Sequence, residues 1–149
     1  MRLTPFALAG LLVAAAAATP ADAAPRKPIT KTYEATAPAP DPTNYAGQGY
    51  SVCAMNVPNS FHIAQFKAPA AGKIKIELTN FTGDWDLLFL DSSGSELATG
   101  GASDLGTPQT PARESMTAKI KKKGATYRIV ACNWAGGPTG TVKYTFTFA

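Results

Sequence analysis

Hydrophobic and polar residues alternate most regularly over residues 72–79. Ile74, Ile76 and Leu78 fall on one side of an extended chain, and Lys73, Lys75, Glu77 and Thr79 on the other. A period of two predicts a strand with one dry face and one wet face. Thr82-Gly83-Asp84 follows with turn chemistry, because glycine tolerates positive φ and aspartate bonds its own backbone. Residues 85–90 are then apolar at nearly every position apart from Asp86, which predicts a central strand buried on both sides.

The alternation recurs downstream. Met116, Ala118 and Ile120 share a face over residues 114–121, and Tyr127, Ile129 and Ala131 lie opposite Arg128, Val130 and Cys132. Val142, Tyr144, Phe146 and Phe148 line one side of residues 141–149. Upstream, residues 50–55 read as a strand carrying Cys53, and residues 61–66 as another in which Phe61, Ile63 and Gln65 share a face. Asp91-Ser92-Ser93-Gly94 predicts a hairpin loop that returns as a short strand over 95–99. Residues 100–112 and 133–140 read as loops, the first long and polar, the second holding Asn133 and Trp134. Five prolines exclude a helix between residues 24 and 48, namely Pro25, Pro28, Pro38, Pro40 and Pro42. The weak alternation of residues 29–35 leaves two readings of that stretch open, an edge strand or an extended tether. Taken together, these segments predict an all-β fold, an antiparallel, jelly-roll-like β-sandwich of seven to eight strands.

A length of 149 residues suits one domain, here residues 49–149. Residues 1–23 read as a secretory signal peptide. Arg2 supplies the positive start, residues 6–18 the apolar run, and Ala21-Asp22-Ala23 the cleavage pattern. The expected location is outside the bacterial cytoplasm, secreted or associated with the cell surface, with no membrane insertion after cleavage. In that oxidising space the two cysteines, Cys53 and Cys132, are expected to pair. Neither belongs to a C-x-x-C motif, so thiol redox catalysis has no support.

The net charge of +4 is mild, but Lys119, Lys121, Lys122 and Lys123 stand close together. They read either as a patch for an anionic polymer or surface, or as lysines that keep a strand end and hairpin turn soluble. Nothing points to nucleic acid: there is no helix-turn-helix pattern, no zinc spacing and no basic stripe interleaved with aromatics. His62 is the single histidine. No G-x-S-x-G elbow and no H-E-x-x-H motif accompanies it, so the chain reads as non-catalytic, with a small secreted hydrolase as the contrary hypothesis.

Four blocks then define a resemblance. They are Gly72-Lys-Ile-Lys-Ile-Glu-Leu78, Thr82-Gly-Asp-Trp-Asp-Leu-Leu-Phe-Leu90, Gly124-Ala-Thr-Tyr-Arg-Ile-Val130 and Tyr144-Thr-Phe146. Their order and spacing resemble the bacterial pre-peptidase C-terminal domain, with its G-x-L-x-V-x-L, G-D-x-D-L-x-L, A-G-T-Y-x-V-x-V and Y-x-L-x-V elements. The resemblance implies a jelly-roll-like module, usually appended to secreted proteases and other exported enzymes. Some relatives bind calcium, which makes Asp84 and Asp86, with Glu34 from the preceding segment, the candidate ligands. Calcium takes six to eight oxygens, so further carbonyl or loop donors are needed.

Trp134, Trp85, Tyr45 and Tyr50 are candidates to stack on sugar rings or a peptide, with Asn133 beside Trp134 in its expected loop. The contrary expectation for Trp134 is that it covers the disulfide. The sequence therefore predicts a module that binds an extracellular protein, a polysaccharide or a surface. A calcium-dependent stability or docking module is the alternative.

Overall fold

The alternating segments pair into two facing sheets. The computed structural model describes residues 25–41, 53, 57–100 and 112–149. Eight strands lie among them: β1 (Ile29–Thr36), β2 (Phe61–Lys67), β3 (Gly72–Thr79), β4 (Asp84–Leu90), β5 (Glu96–Gly100), β6 (Glu114–Ile120), β7 (Thr126–Ala135) and β8 (Thr139–Phe148). One sheet runs β1-β8-β3-β6 and the other β2-β7-β4-β5, with every neighbouring pair antiparallel. This is the eight-stranded, two-sheet jelly-roll arrangement. Among these strands only β4 and β5 are joined as a hairpin within one sheet; the other successive pairs change sheet. No helix among the described residues is long and apolar enough to cross a membrane.

The core fills the space between the sheets. Ile74, Ile76 and Leu78 of β3 and Val142 and Phe146 of β8 meet Trp85, Leu87 and Phe89 of β4 and Tyr127, Ile129 and Ala131 of β7. Phe66 joins the layers, its ring 5.4 Å from Tyr144 and 5.7 Å from Phe146. Tyr127 stacks on Phe89 at 5.1 Å. Offset and edge contacts of this kind add about 0.5–1.5 kcal/mol each beyond the area they bury.

A smaller apolar cluster lies on the far side of the β2-β7-β4-β5 sheet. Cys53, Val57, Leu90, Val130 and Cys132 form it, with Phe61, Leu88 and Trp134 packed against it. The Cys53–Cys132 disulfide is formed and pins the segment before β2 onto the outer face of β7. This is why β4 and β7 are apolar on both sides while β3 is not.

Several expectations change. Residues 29–36 form a strand at the edge of the first sheet, paired with β8 over its whole length. In β2 the core-facing residue is Phe66, whereas Ile63 is 40% exposed and Phe61 turns to the outer cluster. The expected loop over residues 133–140 is mostly strand: β7 continues through Asn133 and Trp134 to Ala135, and β8 begins at Thr139. The lysines after β6 do not close a hairpin, because β6 and β7 belong to different sheets. The signal peptide, Tyr45, Tyr50, the interior of the 100–112 loop and most of the expected strand over residues 50–55 lie outside the described residues. Cys53 itself sits in a turn.

The two cysteines are 79 positions apart. Bridging a loop of that size restricts the unfolded chain by about 4 kcal/mol as an upper figure. Replacing both with alanine is expected to cost a large part of that, read as a lower denaturation midpoint with little change in far-ultraviolet circular dichroism.

Candidate functional site

The expected site residues separate into two places, and most serve the architecture. Trp85 is 1% exposed; its ring lies in the core beside Phe81, and Nε1 donates to the Gly137 carbonyl at 3.3 Å. Asn133 is fully buried and donates through Nδ2 to the carbonyls of Ala37 (2.7 Å) and Gly137 (2.9 Å). It therefore ties the end of the β1 segment to the turn between β7 and β8. Neither side chain meets solvent, so the expectation that they contact a ligand is corrected. Trp85 Nε1 and Asn133 Nδ2 satisfy backbone carbonyls at a crowded end of the sandwich, while Asn133 Oδ1 has no partner among the described residues.

That crowding has a backbone cause. Gly83 and Gly136 have φ of +83° and +114°, and a Cβ on Gly136 would stand 2.0 Å from the Thr82 carbonyl oxygen. Only glycine lets the two sheet-changing turns approach so closely. The Gly137 amide then donates to Thr82 Oγ1 at 3.0 Å.

Asp86 and Trp134 meet on the outer face of the second sheet. Trp134 Nε1 donates to Asp86 Oδ2 at 2.8 Å. Cys53 Sγ lies 3.8 Å from the same oxygen, a contact without a proton because the sulfur is bridged. Trp134 packs against the cluster that contains the disulfide, as the covering role predicts. Burial raises the Asp86 carboxyl above its ordinary range, and the charge of Asp84 adds to the rise. The Trp134 hydrogen bond opposes it.

The proposed calcium ligands do not converge. Asp84, exposed, and Asp86 lie on β4, while Glu34 projects from β1 in the opposite sheet. No group of three or more His, Cys, Asp or Glu side chains among the described residues is placed to hold a metal.

His62 is held by its neighbours. Its ring stacks on Tyr33 at 5.7 Å, and Nδ1 accepts from the Thr36 amide at 3.4 Å. Burial pushes the Tyr33 phenol up, with Tyr144 adding to the effect.

A second surface emerges from the sheet order. On the outer face of β1-β8-β3-β6 the register places Thr30, Thr145, Lys75 and Thr117 in one row. The next row holds Thr32, Lys143, Glu77 and Ser115, and a third Thr147, Lys73 and Lys119. Neighbouring strands are about 4.8 Å apart, so hydroxyls and ammonium groups form a closely spaced array. Glu77 is its internal counterion, 2.8 Å from both Lys75 Nζ and Arg113 Nη2. The Lys75 hydrogen bond is the main reason its carboxyl is held below the ordinary range; the charges of Lys75, Arg113 and Lys143 contribute too. Of this array the sequence singled out only Lys119, through its run of lysines. Lys73 and Lys75 showed as the wet face of β3, but nothing in the chain order places β3 between β8 and β6.

Comparison with known protein families finds no match, and neither does comparison with curated proteins. Among solved structures the chain is similar to the tripod of the baseplate of bacteriophage Tuc2009. The identity is 15%, the TM-score 0.42, and the match covers 79% of this chain and 88% of that one. A likeness at that level decides nothing about function.

Two measurements follow from this geometry. Because folding raises the Asp86 pKa, its carboxyl favours the folded state most in acid, and that contribution is lost as pH rises through the folded value. Asp86→Asn keeps an acceptor for Trp134 and is expected to melt at or above the parent temperature at neutral pH, with the gap closing in acid. Asp86→Ala removes the acceptor and is expected to melt lower. Asn133→Ala leaves the buried Ala37 carbonyl without its donor and is expected to cost about 2–3 kcal/mol by denaturant titration.

Proposed function

We propose that this chain is an exported, non-catalytic β-sandwich module that binds an extracellular partner or surface through the outer face of its β1-β8-β3-β6 sheet. The observation that carries this reading is the asymmetry of the two outer faces. One carries the apolar cluster around the disulfide, with Ile63 exposed beside it. Among the described residues the other is bare, built of threonine, serine, lysine and glutamate. A rigid, flat array of donors and cations suits recognition, because its groups lose little freedom on binding.

The other parts of the reading rest on independent support. The cleavage pattern at residues 21–23 and the bridged cysteines favour the oxidising side of a membrane. The resemblance to pre-peptidase C-terminal domains favours an accessory role beside exported enzymes. Among the described residues His62 has a stacked ring and a backbone donor as its neighbours, which supports a structural role for it rather than that of a catalytic base.

Retention of labelled protein on cell envelopes isolated from the producing cells tests the proposal. Thr145→Glu with Thr117→Glu places two like charges in the middle of the bare face and is expected to lower retention about tenfold or more. Gln65→Glu, on the other sheet, is expected to leave it unchanged. Equal retention of all three proteins would refute the assigned face. Turnover of an ester, peptide or glycoside that disappears with His62→Ala would refute the non-catalytic class.

A further inference from the structure

We infer that the corner where β8, β3 and β6 come together is a binding site for an acidic polysaccharide chain. The inference deepens the module reading and rests on it. Lys73 and Lys119 stand directly opposite each other in the β3–β6 register, and Lys121 follows one step beyond the strand. Like charges in facing positions disfavour a sheet by about 0.2–1 kcal/mol. No ion pair among the described residues relieves them: Glu77 lies two rows away and is engaged by Lys75 and Arg113. Lys73, Lys119 and Lys121 form no ion pair among the described residues, which leaves the corner positive and open to an anion.

The same corner is concave. Lys73, Lys119 and Lys121 rim an open depression of about 530 Å³, with Thr147, Phe148 and Ala149 among its walls. A second depression, of about 610 Å³, adjoins it and shares Thr147 and Phe148. Its cation is Arg26, whose guanidinium lies 5.4 Å from the centre of the Phe148 ring. Two neighbouring hollows, each with its own positive charge and joined across one aromatic ring, fit a chain bearing repeated negative charges better than a single small anion. The aromatic ring and hydroxyl suit the mixed apolar and polar faces of sugars. A lipid surface would call for an apolar side chain projecting outward, whereas Phe148 is half-buried and packs edge-on against Phe146.

Calorimetric titration at low ionic strength, with polygalacturonate as the acidic probe and dextran as the neutral one, tests the inference. The parent protein is expected to bind polygalacturonate, to ignore dextran, and to bind more weakly as salt rises. Lys119→Gln is expected to lower the affinity about fivefold or more, while its melting temperature holds or rises because a repulsion is removed. Lys67→Gln removes the same charge from the other sheet and is expected to change affinity less than about twofold. An equal loss from both variants would overturn the site in favour of diffuse charge. Equal binding of dextran would overturn the acidic specificity. Binding of phosphatidylglycerol vesicles without binding of polygalacturonate would overturn the polysaccharide in favour of a lipid surface, and no binding of either would overturn the site. Failure here with envelope retention intact, and still sensitive to Thr145→Glu with Thr117→Glu, removes this inference and leaves the module reading standing.

Discussion

A backbone approach holds this sandwich closed. With only β4 and β5 joined within one sheet, the other described strands reach their successors by crossing about 10 Å between layers. The β3-to-β4 and β7-to-β8 crossings do so side by side over residues 80–83 and 136–138, and Gly83 and Gly136 bring their backbones together. Asn133 then binds the β1 segment to the same turn, and Trp85 donates into it from the core. At the opposite end Gly124 and Ala125 exchange backbone hydrogen bonds with Ala68, joining the remaining tight crossings. Side chains that look fit for recognition are occupied in making these turns possible.

The two outer faces divide the remaining work. The disulfide face has become a second, minor core, and Asp86 lies at its margin with one oxygen given to Trp134. The other face keeps its polar side chains in water, as antiparallel sheets commonly do. At its corner Lys73 and Lys119 oppose each other across the β3–β6 register.

Strands with one wet side were readable from the residues themselves. β3, β6 and β8 show an unbroken alternation, and β7 presents its two apolar sets in the right phase. β2 misled because it carries apolar residues on both sides, so Phe61 and Ile63 outvoted Phe66. The end of β7 was hidden by Asn-Trp-Ala-Gly-Gly, whose composition is that of a turn although pairing with β4 extends it as far as Ala135. The lysine array escaped for a different reason. Lys73, Lys119 and Lys143 come from three strands far apart in the chain, and only the β8-β3-β6 order puts them on one face. Periodicity reports which side of a strand is wet; it carries no information about which strand lies alongside.

β8 is the last of the eight strands to leave the ribosome, yet it lies between β1 and β3. Until it exists, β1 has no partner in its sheet and β3 has only β6. Pairings of such long sequence separation form slowly. The first sheet therefore stays open while β1 to β7 are made, and it closes only when β8 pairs on both of its sides. The sulfur bridge joins the segment before β2 to β7, both in place before β8, so the second sheet can be locked while the first still waits for its central strand.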